Sequence, residues 1–167
     1  MKTYQLPGEV IWILEEGFFG YLGTSSKNKD PHVTPMIFVY DGEHIFFLTS
    51  KESKKIRNLI ENPHVAFLID LRDPSNLLNN RAILVHGKAK PYGIFDALLH
   101  LTSLLRIRRL FINKYPRYME FYSTERDRIP KRWRTTLFQH RILFRLSIEK
   151  FVYMREAHQV SLERRPR

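Results

Sequence analysis

Residues 32–70 constrain the fold more than any other part of this 167-residue chain. Residues 32–40 are rich in β-branched and aromatic side chains, and largely apolar on both faces. The Asp41-Gly42 pair is a strong hairpin signal, after which residues 45–50 return as a second strand. A short helix and a strand at residues 64–70 follow directly. This order is typical of an antiparallel sheet interrupted by helices.

The rest of the chain supplies further strands and helices around this segment. Further predicted elements are a helix ending near Glu16, strands at 18–24, 81–90, 141–148 and 151–154, and a Leu-rich helix at 93–112. Residues 116–133 are aromatic, basic and irregular. Gly87 lies inside a strand, where a missing side chain would let a ligand or a second backbone approach. Five or six strands dominated by hairpins predict an α+β fold with an antiparallel, Greek-key-like β-barrel and flanking helices.

Length and composition exclude several classes of protein. Residues 1–167 are expected to form a single domain, and the absence of cysteine excludes disulfides, thiol nucleophiles and thiolate metal sites. The seven histidines show no metal-binding spacing, so we predict no metal site. We expect a cytoplasmic protein, because the sequence shows neither a signal peptide nor an apolar run long enough to cross a bilayer.

The positive charge is concentrated in the second half of the chain. Residues 1–92 hold 11 Lys and Arg against 10 Asp and Glu, whereas residues 93–167 hold 17 against 7. This asymmetry suits a nucleic-acid or membrane surface, a funnel for small anionic ligands, or simply a solvated face. Aromatic residues alternate with the cations between residues 106 and 145, but no nucleic-acid-binding module accompanies them. We therefore do not expect nucleic acid to be the main partner.

The helix that follows residue 50 carries the clearest candidate binding site. Thr49 and Glu52 fit a capping box, which predicts Thr49 as the N-cap. Cations are unfavourable at a helix N-terminus, so lysines placed there suggest either a bound anion or side chains that project into water. The predicted phosphate cradle consists of backbone N–H groups, the hydroxyls of Thr49, Ser50 and Ser53, and the ammonium groups of Lys51, Lys54 and Lys55.

Several motifs in this region resemble the pyridoxamine 5′-phosphate oxidase-like, FMN-binding split-barrel family. They are Pro-His-Val-Thr-Pro at 31–35, Asp-Gly at 41–42, Phe-Phe-Leu-Thr-Ser at 46–50, Ser-Lys-Lys at 53–55, Asn-Leu at 58–59 and Asn-Pro at 62–63. The resemblance covers about residues 8–92. It implies a split β-barrel homodimer that binds FMN at the subunit interface. The implied flavin contacts are Val33, Thr34, Pro35, Met36, Ile37 and Phe38 for the ring, and Thr49, Ser50, Ser53, Lys54 and Lys55 for the phosphate.

The sequence also departs from true pyridoxamine phosphate oxidases. Those enzymes carry basic side chains on the first hairpin strand, where this chain has Val33 and Phe38, and an Arg-x-His motif that residues 151–167 lack. We therefore predict a flavin-dependent oxidoreductase acting on another small-molecule substrate, with no catalytic residue identified. A deazaflavin coenzyme is the alternative to FMN. The competing class is a non-catalytic protein whose basic C-terminal half, with a helical segment at about 93–140, binds nucleic acid or anionic membrane.

Overall fold

The fold is that of a computed structural model, in which residues 6–93, 101–124, 141–155 and 158–160 are described. The helices are α1 (Gly8–Glu16), α2 (Lys54–Glu61), α3 (Leu101–Lys114) and α4 (Pro116–Thr124), with a short 3-10 turn at Leu77–Asn79. The strands are β1 (Gly20–Ser25), β2 (Pro31–Met36), β3 (Phe38–Tyr40), β4 (His44–Ser50), β5 (His64–Leu71), β6 (Arg81–Pro91), β7 (Arg141–Arg155) and β8 (His158–Val160).

One antiparallel sheet contains all of these strands. Its order is β2-β1-β5-β6-β7-β4-β3, and β8 pairs with β7. The strands at the two ends of this order, β2 and β3, are separated in the chain by Ile37 alone. The sheet therefore curls until its two ends meet in one bent segment. This confirms the predicted α+β split barrel with flanking helices.

The bend at Ile37 corrects the prediction of one continuous strand at residues 32–40. β2 pairs with β1, from Pro31 opposite Ser25 to Met36 opposite Gly20. β3 instead pairs with β4 across the predicted Asp41-Gly42 hairpin, where Gly42 has a φ of 101° that favours glycine. The residue pattern could not reveal the break, because both halves are equally rich in strand-forming side chains.

The apolar side chains divide into two clusters on opposite sides of the sheet. The larger fills the barrel and includes Leu22, Phe47 and Phe67, with α1 covering one end through Val10, Ile13 and Leu14. The smaller lies between the outer side of β3, β4 and β7 and the helix α3; its buried members are Val39, Phe46, Leu48, Ile107, Phe111, Tyr115 and Leu143. Helix α3 therefore covers the part of the barrel wall that carries β3.

The long pairing of β6 with β7 contains a bulge at Gly87. Gly87 lies opposite Ile148 and His86 opposite Lys150, which leaves Glu149 as the extra residue. A Cβ atom at Gly87 would lie 2.0 Å from the carbonyl oxygen of Ser147, so a side chain cannot fit. The predicted close approach of a second backbone is thus confirmed. The two predicted closing strands are instead one strand, β7, which continues through the bulge.

Two features of the basic segment differ from the prediction or are only partly described. Pro116 occupies the first position of α4, where a missing N–H costs nothing, so part of the segment predicted as irregular is a helix. The predicted Leu-rich helix is present from Leu101 and extends to Lys114. Residues 94–100 of that prediction, and residues 125–140 of the predicted basic segment, lie outside the described residues.

Candidate cofactor-binding site

Strand β2 lies at an end of the described sheet and exposes one of its faces. Val33 is 65% exposed and Pro35 is also exposed, whereas Met36 is buried. Their neighbours across the strand pair are Gly23 and Tyr21, and Tyr21 is also exposed. An edge strand presents backbone groups without sheet partners, which a ligand's polar edge can use. The structure thus makes Val33, Thr34 and Pro35 at least partly accessible.

Helix α2 begins later than the capping box predicted. Thr49 and Ser50 still pair with Ile142 and Arg141 of β7, so the sheet continues past the predicted N-cap. The chain then turns, with the Ser53 N–H donating to the Ser50 carbonyl over 3.2 Å, and Ser53 is the N-cap. The prediction of Thr49 as N-cap was wrong, because strand pairing with a distant segment outweighs a local capping motif.

The first turn of α2 leaves two backbone donors free among the described residues. The Ile56 and Arg57 N–H groups both donate to the Ser53 carbonyl, over 3.0 and 3.5 Å. The N–H groups of Lys54 and Lys55 have no acceptor within that part of the chain. The Ser53 hydroxyl makes no capping bond and lies 3.2 Å from the buried hydroxyl of Thr49. Free amides and a hydroxyl at a helix N-terminus form an anion-binding arrangement.

The three lysines near this turn have different surroundings. Lys54 Nζ donates to Asp30 Oδ2 over 2.7 Å, and this bond lowers the pKa of the Asp30 carboxyl. Lys55 is half-buried, and burial lowers the pKa of its ammonium group. No acidic partner for Lys55 occurs among the described residues. Lys51 is exposed in the preceding turn. Lys55 is therefore the cation with the most to gain from a bound anion.

A chain of polar contacts links the middle of α2 to β2 through β1. The buried Asn58 donates its Nδ2 to Thr24 Oγ1 over 3.1 Å, and Thr24 Oγ1 contacts the His32 carbonyl at 3.4 Å. The His32 ring nitrogen Nε2 lies 2.9 Å from Thr34 Oγ1. Sequence reasoning did not identify Asn58 as functional. Its signal was a short polar side chain next to Leu59 in the apolar stripe of an amphipathic helix.

Phe38 belongs to the buried core and does not face an open site. Its ring is fully buried and meets the ring of Phe67 edge-on at 5.3 Å. Its N–H donates to the Tyr115 hydroxyl over 3.1 Å, and its carbonyl accepts from that hydroxyl over 2.7 Å. Of the other ten predicted contacts, Met36 and Thr49 are buried, whereas Val33, Pro35, Ser50 and Lys54 are exposed.

Lys114 occupies a second environment, on the other side of β3. Its Nζ donates to the Leu14 carbonyl over 3.1 Å and lies 4.0 Å above the Phe38 ring. Burial lowers the pKa of Lys114 to about 8, against the opposing influence of Glu16 and Glu15. The adjoining cleft of about 460 Å³ is walled by Phe18, Val39 and Leu110, among others. None of the predicted flavin contacts lines it.

Two further properties bear on the chemistry of the described residues. No group of three or more His, Asp or Glu side chains in that part of the chain is arranged to hold a metal ion. None of its helices combines the length and the apolarity that crossing a membrane requires.

A family model described as pyridoxamine 5′-phosphate oxidase matches residues 6–107. The match contains β2, β4 and the whole of α2. The chain belongs to the pyridoxamine 5′-phosphate oxidase family. Because the match includes the segment from which the resemblance was inferred, the predicted family is confirmed.

Two curated relatives each match about half of the chain. A 5a,11a-dehydrotetracycline/5a,11a-dehydrooxytetracycline reductase from Streptomyces rimosus is 33% identical over 89 residues, which are 49% of this chain and 60% of that protein. General stress protein 26 from Bacillus subtilis is 35% identical over 69 residues, which are 41% of this chain and 49% of that protein. The matched region thus spans about half the length of the curated relatives.

Solved structures extend the likeness in fold over most of the chain. The haem storage protein HutZ from Vibrio cholerae has a TM-score of 0.63 at 19% identity, covering 92% of this chain and 96% of its own. An FAD-binding protein from Mesorhizobium loti has 0.61 at 20%, covering 86% and 87%. An F420 reductase has 0.57 at 22%, covering 87% and 98%. At these identities the likeness establishes the split-barrel fold of the family.

Proposed function

We propose that the protein is a homodimeric flavoprotein that binds FMN along β2 and at the start of α2, and that it acts as a reductase. Membership of the pyridoxamine 5′-phosphate oxidase family supports a flavin or deazaflavin cofactor. A relative named as a reductase and a neighbour named as FAD-binding point the same way. We also propose a cytoplasmic location, as the sequence predicts.

The start of α2 is the single observation that carries the choice of a phosphate-bearing cofactor. Two free N–H groups, the Ser53 hydroxyl and the half-buried Lys55 belong to this turn, and Lys55 has no acidic partner among the described residues. A phosphate would accept from the backbone donors and offset the charge of Lys55. Ser50 and Lys54 are exposed beside this turn, and the buried Thr49 would position the Ser53 hydroxyl, which lies 3.2 Å from its own. These residue types fit the phosphate of FMN.

The exposed face of β2 is the proposed seat of the flavin ring. Val33 and Pro35 would contact it through their side chains and Thr34 through its backbone, while Met36 is buried in the barrel core and Ile37 packs against the outer cluster. Phe38 takes part only by holding β3 in place. When bound, FMN would supply the redox chemistry, while the protein binds it, orients it and excludes water.

A second copy of the chain is the proposed cover for this face. Tyr21, Val33 and Pro35 form an exposed, uncharged patch across the β1–β2 pair. A two-fold dimer of the kind predicted would bury about 2,000 Å² or more in total. The ring would then be enclosed between two subunits, where water is excluded.

Titration of FMN into apo-protein tests the phosphate assignment. We expect the Lys54→Ala/Lys55→Ala double variant to lose about 2–4 kcal/mol of binding free energy, since charge-assisted bonds contribute most and are not additive. Lys55→Ala alone should account for most of the loss, because Lys54 is shared with Asp30. Lys90→Ala, at an exposed position of β6, is the matched control for the general positive field. An affinity in the double variant equal to that of the control would refute the assignment.

Removing the charge of Asp30 should have the opposite effect on FMN binding. Its carboxylate occupies Lys54 and would repel a phosphate at the same helix start. We expect Asp30→Asn to tighten FMN binding, measured by the same titration. Weaker binding in Asp30→Asn would show that the ion pair assists the site rather than competing with its ligand.

The absorbance spectrum of the purified protein separates the proposed classes. Visible flavin bands would support the FMN proposal. A deazaflavin coenzyme is the second candidate, favoured by the F420 reductase neighbour, and direct competition between the two cofactors would rank them. A colourless protein that binds neither and elutes with nucleic acid would favour the non-catalytic alternative.

A further inference from the structure

Helix α3 carries an exposed apolar stripe that its own packing does not use. Its buried side faces the barrel through Ile107 and Phe111. Leu101 and Leu105 are 60% and 56% exposed, and Ile112 is also exposed. With about 100° between successive residues, these three lie within about 40° of one another and about 120° from the centre of the buried side. The helix is therefore apolar on two separate faces.

Arginines border the exposed stripe on both sides. Arg108 lies about 40° from the centre of the stripe in one direction and Arg109 about 60° in the other. Both are exposed, and neither has an ion-pair partner among the described residues. Residues 101–114 contain no Asp or Glu at all. Arg106, further round the helix, donates instead to the Asp41 carbonyl over 2.7 Å.

We propose that this face of α3 docks on the surface of an anionic phospholipid membrane. Leu101, Leu105 and Ile112 would enter the boundary between headgroups and acyl chains, and Arg108 and Arg109 would contact lipid phosphates. An aliphatic stripe bordered by cations is the arrangement by which interfacial helices bind such surfaces. The surplus of 17 Lys and Arg over 7 Asp and Glu in residues 93–167 adds long-range attraction to negative lipid.

Two other occupants fit this face less well. The exposed apolar side chains on the stripe are aliphatic, whereas single-stranded nucleic acid is bound by aromatic rings on which bases stack. A second copy of the chain, related by a two-fold axis, would bring the arginines of both copies into one interface and oppose like charges. The β1–β2 patch of Tyr21, Val33 and Pro35 offers that copy an uncharged surface.

Co-sedimentation with lipid vesicles at 150 mM salt tests the proposal on the full chain. We expect binding to phosphatidylcholine vesicles that contain about one third phosphatidylglycerol, and little to phosphatidylcholine alone. The Arg108→Gln/Arg109→Gln variant should bind the anionic vesicles roughly tenfold to thirtyfold more weakly, from about 1 kcal/mol for each cation near the surface. Leu101→Ser/Leu105→Ser should lose binding to a similar or greater extent.

A matched control removes the same charge elsewhere. Lys90 and Lys150 are exposed on β6 and β7, so Lys90→Gln/Lys150→Gln should bind anionic vesicles nearly as well as the parent chain. FMN titration and thermal unfolding of each variant would verify the fold. The proposal is overturned if the parent chain does not bind anionic vesicles or if the two charge variants bind equally.

Two further results would reassign the surface. Loss of the dimer by light scattering in the leucine variant would give this face to a second copy. Retention of a single-stranded oligonucleotide at 150 mM salt that falls only in the arginine variant, with vesicle binding unchanged, would give it to nucleic acid. Either result would overturn membrane docking.

Discussion

The two halves of the bent segment at residues 31–40 have similar composition and opposite surroundings. In β3, Phe38 is buried inside the barrel, and Val39 is almost fully buried because α3 covers the outer side of that strand. In β2, Val33 is mostly exposed and no described element covers the same side. One half is completed within the chain, and the other presents an apolar surface. This difference in exposure supports our proposal that another molecule covers β2.

Truncating one side chain in each half should give the largest difference between them, measured as a change in the free energy of unfolding. We expect Phe38→Ala to lower the free energy of unfolding by about 3–5 kcal/mol, since it leaves a cavity between Phe67 and Lys114. Val33→Ala should change it by no more than about 0.5 kcal/mol in the monomer. Chemical denaturation of both variants at one fixed protein concentration provides the measurement. Similar losses of unfolding free energy in the two variants would contradict the difference between the two halves.

A charge placed on the exposed half tests whether a second copy covers it. We expect Val33→Glu to abolish the dimer, because two like charges would meet or be buried near the two-fold axis. Light scattering should then change from about 40 kDa to the 20.1 kDa of a single chain. Lys150→Glu, on an exposed position of β7, is the matched control. A parent chain that is monomeric at micromolar concentration would contradict both the dimer and the shared flavin site.

Removing the Tyr115 hydroxyl tests the hydrogen bonds that hold β3, the buried half, in place. The Tyr115 hydroxyl contacts the N–H and carbonyl of Phe38 and the carbonyl of Phe18, and burial raises its pKa. We expect Tyr115→Phe to cost about 1–3 kcal/mol, because it leaves buried backbone groups unpaired. Tyr21→Phe, at an exposed position, should be nearly neutral. Equal unfolding midpoints for the two variants would contradict a stabilising role for the Tyr115 hydroxyl.

A pH-dependent effect is expected at Lys114, which lies next to Tyr115 and over the Phe38 ring. The pKa of Lys114 is about 8 in the folded protein and near 10.5 when unfolded, so the unfolded chain binds more protons between those values. Its contribution to stability should therefore rise from pH 8 to pH 10.5 and should be flat below pH 8. We expect Lys114→Met to lose this rise relative to the parent chain, measured by urea unfolding. Parallel pH profiles would contradict the assignment.

Local sequence patterns predicted the elements well and their junctions poorly. The Asp41-Gly42 hairpin, the family and the split barrel could all be inferred from residues 8–92, because turn chemistry and strand-forming residues act locally. The start of α2 could not, since pairing of Thr49 with Ile142 depends on a strand more than ninety residues away. The site was inferred by resemblance. The competition of Asp30 for Lys54 depends on tertiary structure and has no signal in the pattern.

The pairing of β4 with β7 has a consequence for how the protein is made. Residues of β7 that pair with β4 lie 91 to 103 positions further along the chain, and the same strand also pairs with β6. Until β7 leaves the ribosome, β4 and β6 each present an unpaired edge, and the barrel cannot close. Such long-range pairing slows folding and exposes nascent chains to aggregation. We therefore expect a chain that is truncated before residue 141 to depend on chaperones.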